Sequence, residues 1–249
     1  MERLIKSLRN ALLILVASPL ITFASGGGIK LDPAPINPND RISLQRGAHS
    51  FVNYCMGCHS AGYMRYSRLK DLGLTEDQIK ENLVLPGAKV GETMAIAMQK
   101  NDSKEWFGVP PPDLSVIARS RGVDWLYTYL RTYYKDDSRS TGWNNLVFDK
   151  VGMPHVLWRL QGTQVLNVTE KRDAHGHQVN ESKLELAIPG QLSAKEYDLF
   201  VADLVNYLAY MGEPAKSKRS QLGIVVLFFF AFMFVLLLLL KKEYWKDIK

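Results

Sequence analysis

Cysteine is the scarcest reactive residue in this chain: its 249 residues contain only two, Cys55 and Cys58. That scarcity excludes a multi-disulfide scaffold. It also leaves no second cysteine pair for a structural zinc site, for which His155, His175 and His177 would have to be recruited. Charge is missing over 19 consecutive positions, Leu222 to Leu240, in "LGIVVLFFFAFMFVLLLLL". A helix built from that run has no polar face. At about 1.5 Å of rise per residue it crosses nearly all of a ~30 Å hydrocarbon layer. An excess of either charge is missing between the two ends. Residues 1–25 hold three Lys/Arg and one acid, and residues 221–249 hold four and two, so the stretch between them carries 24 basic and 22 acidic residues. Two thirds of the net charge of +6 therefore belongs to the termini, and it gives no argument for nucleic acid.

What is there is "FVNYCMGCHSAGY", residues 51 to 63, in which both thiols lie three positions apart with His59 directly behind. A thioredoxin-like redox pair would need a strand before the motif and a helix starting at it. Here Leu44, Ala48, Phe51, Val52 and Cys55 fall at helical spacing, so the motif ends a helix. Composition alone rarely groups two cysteines and a histidine this way. The meaning left for C-x-x-C-H is covalent haem attachment: each thiol forms a thioether to a vinyl group, and His59 is held beneath the iron as proximal ligand.

The two ends of the chain fit such a cargo. Residues 1–25 run from Arg3, Lys6 and Arg9 through "ALLILVASPLITF" to small residues, the three-part form of a secretory signal peptide, with a cut expected near Ala24 or Ser25. A first membrane helix is the alternative, disfavoured by the short run and its small-residue exit. Residues 221–240 form the expected transmembrane anchor and 241–249 a short tail. Lys216, Lys218 and Arg219 flank one side of the span and Lys241, Lys242, Lys246 and Lys249 the other, so charge gives only a slight lean. The export signal decides, with residues 26–215 in the periplasm and the tail in the cytoplasm of a bacterial inner membrane. That central stretch is long enough for one well-filled core. It begins with an extended lead-in, "GGGIKLDPAPINPND". Short helices are expected in "TEDQIKENL" and "GETMAIAMQK", and a firmer one in "VDWLYTYLRTYY". Ser193 and Glu196 form a capping box for a long helix with Leu199, Leu204, Val205 and Leu208 on its apolar face, stopping at Gly212 and Pro214. Residues 156–190 alternate around the charged loop "EKRDAHGHQVNES" and read as a β-hairpin inserted in a mainly α haem domain; His175 and His177 read as solvated loop residues.

The iron's second face can take methionine, histidine or nothing, and each choice implies a different function. Met56 and Met64 lie too near His59 to reach around a macrocycle. Met94 and Met98 sit four apart, as core residues of a helix would. Met153 lies in "KVGMPHV", where Gly152 and Pro154 force an irregular backbone. Met153, Met94 or Met98, and His155 all remain candidates on local sequence.

"SLQRGAHSFVNYCMGCHS", "GVPPPDLSVIARSRG", "VGMP" and the apolar helix followed by "KKEYWKDIK" together resemble cytochrome c1, the membrane-anchored haem subunit of the bc1 complex, in a bacterial form. The resemblance covers nearly the whole chain. It implies a class I c-type haem domain with one covalent haem c, and Met153 as distal ligand, so that His59 and Met153 are the metal-binding pair. It implies that Pro111 and Pro112, with Asp113, Leu114 and Ser115, line the haem as a stiff, donor-free wall. It implies that Arg121 neutralises a propionate, with Arg119 the nearest rival; the plain reading of Arg121 is an exposed charge at a helix start. The implied role is electron relay, not catalysis by this subunit alone. Electrons would pass from ubiquinol oxidised in cytochrome b, through a Rieske iron-sulfur protein, to a soluble or membrane-bound c-type cytochrome, inside a dimeric complex. Two departures stand out. No cysteine is left for the disulfide of some relatives, and no long acidic run attracts a basic carrier, Asp136 with Asp137 being the densest acidic spot. The rival readings are an anchored cytochrome serving a terminal oxidase or periplasmic dehydrogenase, and a haem peroxidase with an open distal face.

Overall fold

The computed structural model describes residues 29–172 and 178–247, without the side chains of residues 170–172, 178–181, 217 and 220. The signal-peptide expectation for residues 1–25, together with His175 and His177, lies outside the described residues.

Residues 31–36 run extended, with Asp32, Ala34 and Ile36 turned inward at every second position, before a turn closed by Asp40 N–H on Asn37 O. The lead-in is tied down by main-chain bonds from Asp32 to Thr128 Oγ1 at 2.8 Å and from Ala34 to Asp124 Oδ1 at 2.7 Å. Asp40 then caps α1 (Arg41–Tyr54), its carboxylate accepting from the Ser43 N–H and satisfying one of the unpaired donors of the first turn. Leu44, Ala48 and Phe51 form the buried face of α1. After it come β1 (Ala61–Arg65), a 3₁₀ turn over Tyr66–Leu72, α2 (Glu76–Asn82), β2 (Thr93–Met94), α3 (Lys100–Phe107), α4 (Ile117–Arg121) and α5 (Val123–Arg131). Then follow β3 (Tyr133–Lys135), β4 (Trp143–Asn145), α6 (Trp158–Gln161), β5 (Gly162–Arg172), β6 (Gln178–Pro189), α7 (Ala194–Gly212) and α8 (Lys216–Tyr244). The strands pair antiparallel as β1–β2, β3–β4 and β5–β6.

The crossing of α1 with α7 centres the core. A Cβ on Gly47 would fall 2.1 Å from the Asp203 carbonyl oxygen, so only glycine lets the two backbones approach this closely. Phe51 packs on Tyr207 at 5.6 Å, and Asn206 bonds across to Asn37 O and Ser43 Oγ. The α7 capping box between Ser193 and Glu196 forms as the sequence indicates, and the helix ends at Gly212. Arg131 joins the lead-in to α7 by pairing with both Asp32 and Asp198.

Four local expectations need correction. "GETMAIAMQK" is not a helix: Met94 pairs in β2, Met94, Ile96 and Met98 face inward at every second residue, and the helix starts only at Lys100. α5 stops at Arg131, and Tyr133 and Tyr134 enter β3 against Asn145 and Asn144. The hairpin starts at Gly162, after the short α6, because Gly162 at φ +96° packs against Gly190 too closely for any side chain. Leu199 is 58 % exposed, so the apolar face of α7 is carried by Tyr197, Val201, Leu204, Val205 and Leu208 instead.

α8 runs past the uncharged stretch at both ends. Its segment Gln221–Tyr244 is, among the described residues, the one helix long and apolar enough to cross a membrane. Its leucines, valines and phenylalanines are exposed all round, as an anchor meeting lipid requires.

Candidate haem site

α1 delivers the motif at its C-terminal end. Cys55 is the capping residue, and the Cys58 and His59 N–H groups both fold back onto the Cys55 carbonyl, at 3.1 and 2.9 Å. One tight turn thus gathers two thiols and an imidazole. Neither thiol is in a disulfide. Burial pushes the Cys55 thiol up to about 12, helped by the neighbouring Cys58, and burial raises Cys58 as well.

His59 is 8 % exposed, and its Nδ1 lies 2.7 Å from the carbonyl oxygen of Pro112. As donor to that carbonyl, Nδ1 carries the ring proton, which leaves Nε2 as a free lone pair and fixes the ring's direction. Burial lowers the His59 pKa, against the opposing pull of Pro112 and Asp113, and so favours the neutral, ligating imidazole.

The proline-rich run is bonded to the cysteine turn. Leu114 N–H donates to Ser60 O at 2.8 Å, Gly62 N–H to Asp113 Oδ2 at 2.8 Å, and Tyr63 N–H to Ser115 Oγ at 3.0 Å. With the His59–Pro112 bond, residues 112–115 are zipped to residues 59–63. Pro111 is half-buried and Pro112 exposed. The other end of this run reaches the methionine loop, since a Cβ on Gly152 would meet Val109 Cγ1 at 3.1 Å and Phe107 O at 3.2 Å. One segment, 107–115, therefore touches His59 at one end and the neighbour of Met153 at the other.

Met153 is half-buried and packs against the core, with its Sδ 3.4 Å from the Tyr129 hydroxyl. The other candidate side chains sit in different surroundings. Met94 is fully buried with its sulfur facing the Tyr207 hydroxyl at 3.6 Å, in the α1–α7 core. His155 is 3 % exposed, stacked on Tyr133 at 4.8 Å and edge-on to Trp143 at 5.0 Å; burial lowers its pKa to about 4. Its Nε2 has no hydrogen-bond partner. Met98 lies half-buried in extended chain.

Arg121 ends α4 rather than starting a helix. It is exposed, and its guanidinium lies 5.2 Å over Trp125 and 5.8 Å over Phe148. Among the described residues no carboxylate pairs with it. Trp125 stacks on Tyr129, which places Arg121 on the Met153 side. The stem of Arg119 packs instead at Gly212, near the end of α7.

Sequence reading missed the residues that hold the Met153 loop. Asn145 is 1 % exposed; its Nδ2 donates to Tyr129 O at 2.8 Å, and its Oδ1 accepts from Val147 and Phe148 N–H. Asn144 donates to Asp136 and Asp149 and accepts from Lys150 N–H. Trp125, Tyr129 and Tyr133, every fourth residue, were the available signal for an aromatic face.

A profile of the cytochrome C1 family matches residues 33–90 and 192–248, the stretches that hold α1 with the cysteine turn and α7 with α8. The chain is 48 % identical over 235 residues to a cytochrome c1 of Allochromatium vinosum, covering 94 % of this chain and 96 % of that one. This chain belongs to the cytochrome c1 family. A second cytochrome c1, from Rhodospirillum rubrum, is 27 % identical over 84 % of this chain and 83 % of its own. A Nitrosomonas europaea protein bearing the name ammonia monooxygenase gamma subunit is 52 % identical over 246 residues, 99 % of both chains. The cytochrome c1 family carries a covalently attached haem c, and the donor set here fits it: a paired-thiol turn, plus an imidazole whose Nδ1 is already satisfied.

Proposed function

We propose that this chain is the haem-bearing electron-transfer subunit of a bc1-type quinol–cytochrome c oxidoreductase, relaying single electrons from a Rieske iron-sulfur protein to a c-type cytochrome. The observation that carries the reading is the 107–115 segment, which holds the ring of His59 at one end and packs beside the Met153 loop at the other. Cys55 and Cys58 would form the thioethers, His59 Nε2 the proximal bond and Met153 Sδ the distal one, in a class I c-type arrangement. When bound, the haem supplies the one-electron couple, and the protein supplies its placement, ligands and docking surface. Pro112 fixes the imidazole, Arg121 offers its guanidinium to a propionate, and α8 anchors the domain with residues 26–215 outside and 241–249 inside. Ligation on both faces supports electron transfer over peroxidase chemistry, because a methionine-capped iron has no open position.

Gentle detergent purification through this subunit tests the assignment. A cytochrome b and an iron-sulfur protein should accompany it, and quinol should reduce its haem. Recovery with monooxygenase subunits instead, the reading that the name of the Nitrosomonas relative favours, or with a terminal oxidase alone, would replace it.

A further inference from the structure

Beside Met153 the structure holds a hydrogen-bonded chain that neither the haem motif nor the family match assigns. Trp125 and Tyr129 stack on α5 at 4.7 Å, and Tyr129 meets Tyr133 edge-on at 5.2 Å. Both tyrosines are buried, at 8 % and 1 % exposure. Their hydroxyls bond to each other, and the Tyr129 hydroxyl also donates to Met153 Sδ at 3.4 Å. A phenol has one proton to give, so only one arrangement serves both contacts: Tyr133 donates to Tyr129, and Tyr129 donates to the sulfur. Donors linked in this way polarise one another, which strengthens the terminal bond. Asn145, bonded to the Tyr129 carbonyl while holding the Val147 and Phe148 amides, fixes the ring-bearing backbone against the loop that carries Met153.

We propose that Tyr129 is a positioning residue that orients the Met153 thioether as distal ligand and raises the potential of the haem by drawing electron density from the sulfur. The inference rests on the reading of Met153 as that ligand. A thioether sulfur has two lone pairs, so one can face iron while the other accepts from Tyr129. Sulfur that shares density with a hydroxyl donates less to ferric iron, and removing the hydroxyl therefore favours the ferric state. The change should be the size of one net hydrogen bond, about fivefold in the ferric-to-ferrous ratio, or ~40 mV at about 59 mV per tenfold.

The test is an equilibrium redox titration of the detergent-purified complex carrying Tyr129→Phe, Tyr133→Phe or Met153→Leu, with carbon monoxide binding and the rate of imidazole entry at ferric haem measured alongside. Tyr129→Phe should keep its haem covalently attached and its iron closed to carbon monoxide, lower the potential by the amount above, and admit imidazole faster. Tyr133→Phe should shift the potential the same way by less, because Tyr129 then donates without support. A Tyr129→Phe potential unchanged within twofold, with Met153→Leu open to carbon monoxide, overturns the inference and spares the ligand reading. Met153→Leu still closed to carbon monoxide removes the ligand reading and the inference together. Should Tyr129→Phe fail to retain haem, Tyr133→Phe decides: a lowered potential supports the inference and an unchanged one overturns it.

Discussion

The two sides of the haem site are held by different means. On the His59 side, residues 59–63 and 112–115 are joined by four contacts that each use at least one main-chain group. On the Met153 side, the loop is hung from the side-chain amides of Asn144 and Asn145 and the hydroxyl of Tyr129. On the His59 side three side chains and one main-chain pair supply a single cross-loop bond each, whereas Asn144 and Asn145 each carry several, so one change on the Met153 side loses a whole set of bonds. The His59 side is therefore the more durable part of the site, and the Met153 side is the part where a single change undoes most.

The sharpest way to break the comparison is to remove the covalent attachment. Replacing Cys55 and Cys58 together by Ala should abolish it, and the folded domain should go as well, since the remaining side chains cannot fill a haem-sized space. Haem resisting acid-acetone extraction from that double variant would contradict the assignment of both thiols. Met153→Leu removes the proposed distal ligand alone. Covalent haem should persist, the sulfur-to-iron charge-transfer band should vanish, and reduced haem should bind carbon monoxide. The proximal side would then stand without the distal one.

A smaller change separates the two modes of support. Asn145→Ala deletes the acceptor for the Val147 and Phe148 amides and the donor to Tyr129 O at a buried position, which should cost about 2–4 kcal/mol. Pro112→Ala keeps the carbonyl that holds His59 and should cost under ~1 kcal/mol. Denaturant unfolding of the two variants in detergent measures the contrast, and equal losses would mean that the proximal loop depends on proline stiffness as much as on its bonds.

How much of this was legible in the sequence follows the same division. The cysteine turn and the Ser193–Glu196 cap depend on neighbours within four residues, so spacing alone revealed them. "MAIAM" fits both an i,i+4 helical pair and an alternating strand; contact with β1 across the sheet selects the strand. Tyr133 and Tyr134 continue a helical pattern but join β3, because Asn145 and Asn144 offer backbone partners there. Asn145 itself reads locally as a turn residue, and its bond to the Tyr129 carbonyl 16 positions away has no sequence signature. Met153 could be singled out by its flanking glycine and proline, but the tyrosine hydroxyl that meets its sulfur lies 24 positions away and had no local signature.

The last expected effect concerns acid. Asp113 lies on the proximal side, and partial desolvation, which would raise its pKa, is outweighed by hydrogen bonds from Ser115 and Gly62, so its carboxyl sits below the ordinary range. A folded pKa below the unfolded one means that the stabilisation is complete above the unfolded value, near pH 4, and is lost as pH falls through the folded value. Asp136, held down by Ser138 and Asn144, and Asp149, held down chiefly by Asn144, titrate the same way on the distal side, but both are solvent-screened. Asp113→Asn isolates the proximal share. The carboxamide can accept from only one of the two N–H groups and turns its own donors on the other, so at neutral pH the variant should lose about 1–2 kcal/mol. The difference in thermal midpoint between parent and variant, measured in detergent from pH 7 downward, should hold steady to about pH 5 and shrink below pH 4. Because Asp136 and Asp149 are present in both proteins, their contribution cancels from that difference. A gap that stayed constant into strong acid would show that Asp113 carries no ionisation-linked support, and that the proximal loop is held by the His59 and Ser115 bonds and the Leu114–Ser60 pair.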